Sequence, residues 1–542
     1  MKTTAALCVA AAVALARAAD PDPITVAESS HYTRTGHLAD VNSFLQILAN
    51  RSPLIHLSTL GQTFEHRDIP LAIIADPPVT SPDEVGDRLA VLLFGSIHAG
   101  EICGTEALQM LARDLIDARE AGADKLLDKL VVCLVPVYNA DGHERFAPDN
   151  RPGQNGPEEM GIRANAQGLD LNRDWVKLDA PETRAMVAFL NTWDPPVIVD
   201  THTTDGSNHR FTMTYQGPKH PAGDKGVIEY VRDVMLPDID QRFEAQTGYH
   251  AFFYGNFEDS HTKWTTYPAE PWYGTPYRGI RNRVSILTEA YAYASFEDRV
   301  KSTHAFCREI LRYAAANATQ IRDLVRAADK RTIAAGRDGA PIALQVEAKA
   351  FPKDATILGY DEPAESGAHG ERAAIDQATT PHKNYELPIF NDFEPTLTVD
   401  RPAAYLIPAS FHDVIDRLRA HGIRMHVTPD GPTYEVAAGI YKVGSVERAD
   451  HAWQGRTRMD LVVALEAASA EIRGGDVIVP TDQPLGSLAA YLLEPRSTGG
   501  LVACGFFEAL PIGSAYPIAR LGPTSIPREI LESGASPPER HE

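Results

Sequence analysis

The sequence predicts an α/β protein, a largely parallel or mixed β-sheet flanked by helices, with a C-terminal β-rich α+β domain. Two observations carry that expectation. Between residues 40 and 330, continuous apolar runs of strand length alternate with segments of helical apolar spacing, the pattern of strands buried on both faces. Beyond residue 330 the composition shifts to short, turn-bounded strand candidates. A chain of 542 residues is long for one domain. The expected division is a leader at 1–18, a first domain at 19–330 and a β-rich second domain at 345–530.

Taken in order, 42–49 reads as a short helix, and 54–60 and 70–75 as strands joined by a turn at Gly61. The run 89–96 is a fully buried strand. In 104–120, Leu108, Leu111 and Leu115 recur at helical spacing. Residues 130–138 form the next buried strand, 181–191 a helix, 197–200 and 284–288 two more strands, and 306–328 a closing helix. Gly-containing 334–341 suits a linker. After it, 396–400, 433–436 and 476–479 read as strands, and 411–419 as a helix with Ser410 as its N-cap and Gly422 near its end. The last ten residues read as an unstructured tail.

Lys2, the uncharged apolar run 5–15 and Ala16-Arg17-Ala18 have the order of a signal peptide. The expected location is therefore exported, periplasmic or secreted. That run is too short to span a bilayer, and no later segment is a candidate. The net charge of -22, with no basic block, argues against nucleic acid and anionic membrane surfaces as partners. Beyond Cys8 the chain has Cys103, Cys133, Cys307 and Cys504, none in a CxxC pair, which argues against a cysteine zinc site.

Four segments carry candidate chemistry. The first buried strand runs into Ile97-His98-Ala99-Gly100-Glu101, so His98 and Glu101 leave its C-terminal end together. A second strand delivers His202 in Val199-Asp200-Thr201-His202. Open α/β sheets place their sites at that edge. Two His and one Glu leave a fourth position for water, the pattern of a catalytic rather than a structural zinc. The third segment is Gly168-Leu169-Asp170-Leu171-Asn172-Arg173-Asp174, with Arg163 before it. The fourth, 285–291, ends a strand on Glu289. Each alone is ordinary: a turn histidine, a solvated arginine, an exposed strand-end carboxylate.

Together these segments, in this order and with Leu60-Gly61-Gln62-Thr63 and Pro136-Val137-Tyr138-Asn139-Ala140-Asp141-Gly142, resemble the zinc carboxypeptidase family over about residues 30–330. The resemblance implies a mixed sheet flanked by helices, one Zn2+ per chain held by His98, Glu101 and His202, and a peptide substrate. It implies that Arg163 polarises the scissile carbonyl, that Asn172 and Arg173 bind the terminal carboxylate, and that Glu289 is the general base. Asp170 would orient His98 from behind. A tyrosine upstream of the base is also implied, with Tyr267, Tyr273 and Tyr277 all in range. The C-terminal domain does not match the small sandwich of the animal enzymes, and no role for it follows.

Those roles suit the residue types. Zinc acidifies water and polarises a carbonyl, a carboxylate relays the proton, and an arginine fork matches a carboxylate. The expectation is therefore hydrolysis of the C-terminal peptide bond of peptides with a free carboxylate. Two alternatives stand beside it. One is an amidase or deacylase on the same scaffold, acting on cell-wall peptides or acylated amino acids. The other is a non-catalytic binding module.

Overall fold

The computed structural model describes residues 23–526, apart from 205, 259–260, 363–374 and 508–509. The expected leader and the C-terminal tail lie outside the described residues.

The first strands are β1 (Ile55–Gln62), β2 (Asp68–Ile74), β3 (Leu89–Gly95), β4 (Leu130–Val135), β5 (Val197–Thr204), β6 (Met213–Gln216), β7 (Ala251–Phe253), β8 (Asn256–Glu258), β9 (Lys263–Thr265) and β10 (Val284–Tyr291). Eight of them form one sheet in the order β1-β2-β4-β3-β5-β10-β6-β7. Its centre, β4-β3-β5-β10, is parallel, while β2 and β6 flank it antiparallel. From β3 the chain passes to β4 on one side and later to β5 on the other. The strand order therefore reverses between β3 and β5, where open sheets hold their ligands.

The apolar runs alternate faces with the strand period of two. Val91, Leu93, Val132 and Val199 share one core with helices Cys103–Glu120 and Phe296–Ala316. Leu92, Phe94, Cys133 and Ile198 share another with helix Pro181–Trp193. The second core continues into Tyr405, Val479 and Leu488 of the C-terminal half, so that half covers one face of the sheet.

The later strands are β11 (Pro341–Ala350), β12 (Ala355–Tyr360), β13 (His382–Leu387), β14 (Ile389–Asp400), β15 (Ala404–Ile407), β16 (His426–Val427), β17 (Tyr434–Trp453), β18 (Arg456–Ile472), β19 (Val477–Pro480) and β20 (Ala519–Leu521). A four-stranded sheet, β11-β14-β9-β8, mixes early and late strands. β12 and β13 form a hairpin, and a six-stranded sheet runs β16-β19-β15-β20-β17-β18. β17 and β18 are 20 and 17 residues long. β17 pairs with β20 only at Ala438 and Gly439, so most of this hairpin projects as a two-stranded ribbon.

Several sequence expectations need correction. The closing helix is two, Phe296–Ala316 and Ala318–Arg337, broken at Asn317. The second takes the first half of the expected linker, because the buried stripe of Ile321, Val325, Ala328 and Thr332 continues to Gly336. Ser410 does not cap the helix His412–Ala420. Phe411 takes that position, without a side-chain cap. The strand expected over 130–138 ends at Val135, where the chain turns into the site. Cys103, Cys133, Cys307 and Cys504 are all free and buried. Among the described residues no helix is long and apolar enough to cross a membrane.

Candidate active site

β3 ends in Ser96, a non-glycine residue at φ +64°. That left-handed residue redirects the chain into a tight turn, closed by the Glu101 N–H donating to the His98 carbonyl at 2.9 Å. His98 and Glu101 are thereby held on one side of the strand end. The following helix packs directly on β5: a Cβ on Gly104 would lie 2.0 Å from Thr201 Oγ1, so only glycine allows this approach beside His202.

The three side chains meet. His98 Nδ1 lies 2.9 Å from Glu101 Oε1, and His202 Nδ1 lies 2.9 Å from Glu101 Oε2. One donor atom from each of the three falls within 4.8 Å of the others, and all three residues are buried. Each imidazole turns its second nitrogen to a carboxylate. His98 Nε2 is 3.1 Å from Asp170 Oδ1, and His202 Nε2 is 3.1 Å from Asp200 Oδ1. The His98–Asp170 hydrogen bond is the kind of contact that fixes a metal-binding imidazole; His202 Nε2 and Asp200 Oδ1 are close without hydrogen-bond geometry.

The electrostatics suit a cation. Burial alone would raise the Glu101 carboxyl. The charges of His98 and Arg151 and the hydrogen bond from His202 outweigh it and hold Glu101 well below the usual carboxylate range. Burial opposes charge on His202 too, yet Asp200 and Glu101 push its pKa well above that of a free imidazole. A field that retains a proton there favours a metal ion in its place, the exchange that accompanies metal binding. Two imidazole nitrogens and one carboxylate, opening on a cavity, fit a three-ligand metal centre with a free position.

That cavity, of about 160 Å³, is lined by His98, Glu101, Arg163, Asn172, Arg173, Thr203, Thr204, Tyr254, Tyr267, Tyr273, Leu287 and Glu289. Glu289 pairs in register with His202 across β10 and β5. In a parallel pair this directs both side chains to the same face. Arg163 Nε donates to Asp170 Oδ2 at 2.9 Å. Burial pushes the Asp170 carboxyl up, but His98, Arg163 and Arg173 together hold it far below its ordinary range. The Asn172 side chain accepts the Gly274 N–H at 2.9 Å. The Arg173 guanidinium lies 4.2 Å from the Tyr273 ring centroid.

Of the three candidate tyrosines, Tyr267 and Tyr273 line the cavity. Tyr277 is fully buried and bonded to His421 Nδ1 at 2.8 Å, which removes it from the site. Burial raises the Tyr267 phenol above its ordinary pKa, so it keeps its proton at neutral pH.

Sequence reasoning missed three contributors. Asp200 stands two residues before His202, a same-face spacing on a strand that was readable. Arg151 donates to Glu101 Oε1 at 3.0 Å from a loop, with no local signal. Gln454 accepts the Asp170 N–H at 2.8 Å from 284 positions away.

Comparison with known proteins finds similarity along this chain. Residues 41–225 match the family model described as zinc carboxypeptidase. Carboxypeptidase 2 of Trichophyton rubrum is 24% identical over 502 residues, covering 89% of this chain and 86% of that protein. Carboxypeptidase D of Homo sapiens is 29% identical over 198 residues, 35% of this chain and 13% of that one. A solved metallo-carboxypeptidase from Burkholderia cenocepacia aligns over 52% of this chain and 69% of that one, at 17% identity and a TM-score of 0.40. Over residues 41–225 the chain is therefore similar to the zinc carboxypeptidase family, and along most of its length to proteins named carboxypeptidase.

Proposed function

We propose that this protein is an exported carboxypeptidase that binds one zinc ion through His98, Glu101 and His202 and requires a free carboxylate on its peptide substrate. The observation that carries the reading is the convergence of those three donors, within 4.8 Å of one another, on a cavity that also presents Arg163, Asn172, Arg173 and Glu289. Export is supported by the leader-like order of residues 1–18.

A zinc ion held by His98, Glu101 and His202 would supply Lewis-acid chemistry, lowering the pKa of water and polarising the scissile carbonyl. Glu289 takes the water proton and returns it to the leaving amine, a transfer suited to a positioned carboxylate. Arg163, held by Asp170 at 2.9 Å, stabilises negative charge developing on the carbonyl oxygen. Arg173 presents its planar fork to the substrate's terminal carboxylate. Asn172, tied to Gly274, orients that end of the substrate. Half-buried Tyr267, kept protonated, can donate a hydrogen bond to the bound peptide.

The test is a pair of peptides differing only in a free or amidated C terminus. The free acid should be cleaved far faster, and removal of metal by a strong chelator should abolish the reaction until zinc is returned. Equal cleavage of acid and amide would replace this reading with the amidase one.

A further inference from the structure

The turn joining β17 to β18 consists of two residues, Gln454 and Gly455, with Trp453 paired to Arg456 across it. Both turn residues sit at positive φ, +52° and +79°, the backbone that suits the twist of a two-residue hairpin. Asn, Asp or Gly relieves strain at the first of these positions. Glutamine is not a residue that the turn itself would select.

Its side chain has a long-range task. Gln454 Oε1 accepts the backbone N–H of Asp170 at 2.8 Å. Asp170 is buried, so without Gln454 that N–H would be left without a partner, a costly state for a buried donor. The Asp170 carboxylate meanwhile holds His98 Nε2, the Arg163 Nε–H and the Asn172 backbone N–H. The ribbon tip is itself pinned on two sides. Arg456 donates twice to Asp179, at 2.7 and 2.8 Å, and Trp453 packs edge-on against Trp272 at 5.2 Å.

We infer that Gln454 is a positioning residue of the active site: the ribbon tip clamps the Asp170 backbone and so fixes the carboxylate that orients His98 and Arg163. The inference rests on the reading of His98, Glu101 and His202 as metal ligands. It gives the C-terminal half a part in catalysis, and it accounts for a strained glutamine where asparagine would be the easier turn residue. Asparagine is one methylene shorter and from the same backbone position would not reach.

The test compares full-length wild type with Gln454→Asn and Gln454→Met, the latter of similar reach without a carbonyl. Three quantities are read: the zinc dissociation constant by chelator competition, kcat and KM for a peptide acid, and the Tm of the metal-free protein. Partners behind a metal ligand are typically worth 10- to 100-fold in affinity or activity. Gln454 stands one contact further out, so zinc affinity and kcat should each fall about 3- to 10-fold, with KM moving less. The Tm of Gln454→Asn should change little, because the easier Asn-Gly turn offsets the unpaired Asp170 N–H. Zinc affinity within twofold of wild type in both variants overturns the inference, as does a loss of affinity that only follows a fall in Tm in Gln454→Asn. Wild-type protein that takes up no zinc overturns the ligand assignment itself, and this inference with it.

Discussion

The sheet edge at the ends of β3 and β5 and the ribbon tip between β17 and β18 reach the same loop by opposite means. His98, Glu101 and His202 come from strands buried along their whole length, whose register with their neighbours is unbroken. Gln454 comes from a ribbon exposed over much of its length and shifted in register twice. A slip in β3 or β5 would turn every core side chain to the wrong face, so the packing that makes the sheet also places the three candidate metal donors. The ribbon is held less uniformly along its strands: Tyr441, Val443, Met459 and Leu461 are buried against the core, and much of the rest is exposed. Its tip is located by what it touches: Asp170, Asp179 and Trp272. A rigid layer thus places its side chains by its own packing, whereas an exposed ribbon contributes through anchors at its end.

The largest expected effect breaks the rigid side of this comparison. The double variant His98→Ala, His202→Ala should lose both stoichiometric metal and activity while the sheet folds. Elemental analysis of purified protein decides, and one metal per chain surviving would show that the ligands lie elsewhere.

Glu289→Gln leaves the donor set intact and removes the group that shares the register of His202. Activity should fall by about 10²–10⁴-fold or more, with metal content and Tm held. Near-normal turnover in a metal-replete sample would assign the base to another residue.

Next in size is Arg173→Ala. A charge-assisted pair with the substrate carboxylate is worth roughly 1.5–3 kcal/mol, so kcat/KM for a peptide acid should fall about 10- to 150-fold. The acid-over-amide preference should narrow with it, and Lys should restore only part. Unaltered acid-over-amide discrimination would mean that Arg173 does not meet the carboxylate.

The smallest effect sharpens the ribbon side. Asp179 accepts from Arg456 twice and from Arg417 at 3.2 Å. Burial pushes its carboxyl up, but the hydrogen bonds and charge of Arg456 outweigh that and lower its pKa. A carboxyl depressed in the folded state stabilises above its unfolded pKa, about 3.9, and loses that contribution as pH falls through the folded value. Asp179→Asn should therefore cost about 1–3 kcal/mol near neutral pH, with the difference from wild type shrinking below about pH 4. Thermal melts at a series of pH values would test it. A difference that grows as pH falls would show that the anion is not what holds the tip.

The amino-acid sequence alone determined the parallel centre of the sheet and the elements that bear the site. Fully buried strands are written as unbroken apolar runs, and a strand end followed by His-x-x-Glu or Asp-x-His is a local statement. The Gly168–Asp174 segment and Glu289 were legible for the same reason, as short strings with their own chemistry. Tertiary structure decided what depends on distant chain. It showed Tyr277 bound to His421 and so outside the cavity, brought Arg151 onto Glu101, and carried the second helical stripe into the expected linker as far as Gly336. It also brought Gln454 to Asp170 across 284 positions. A glutamine beside a glycine reads locally as an ordinary turn. Only the packed position of the ribbon, set by contacts on another part of the chain, gives that side chain a donor to meet.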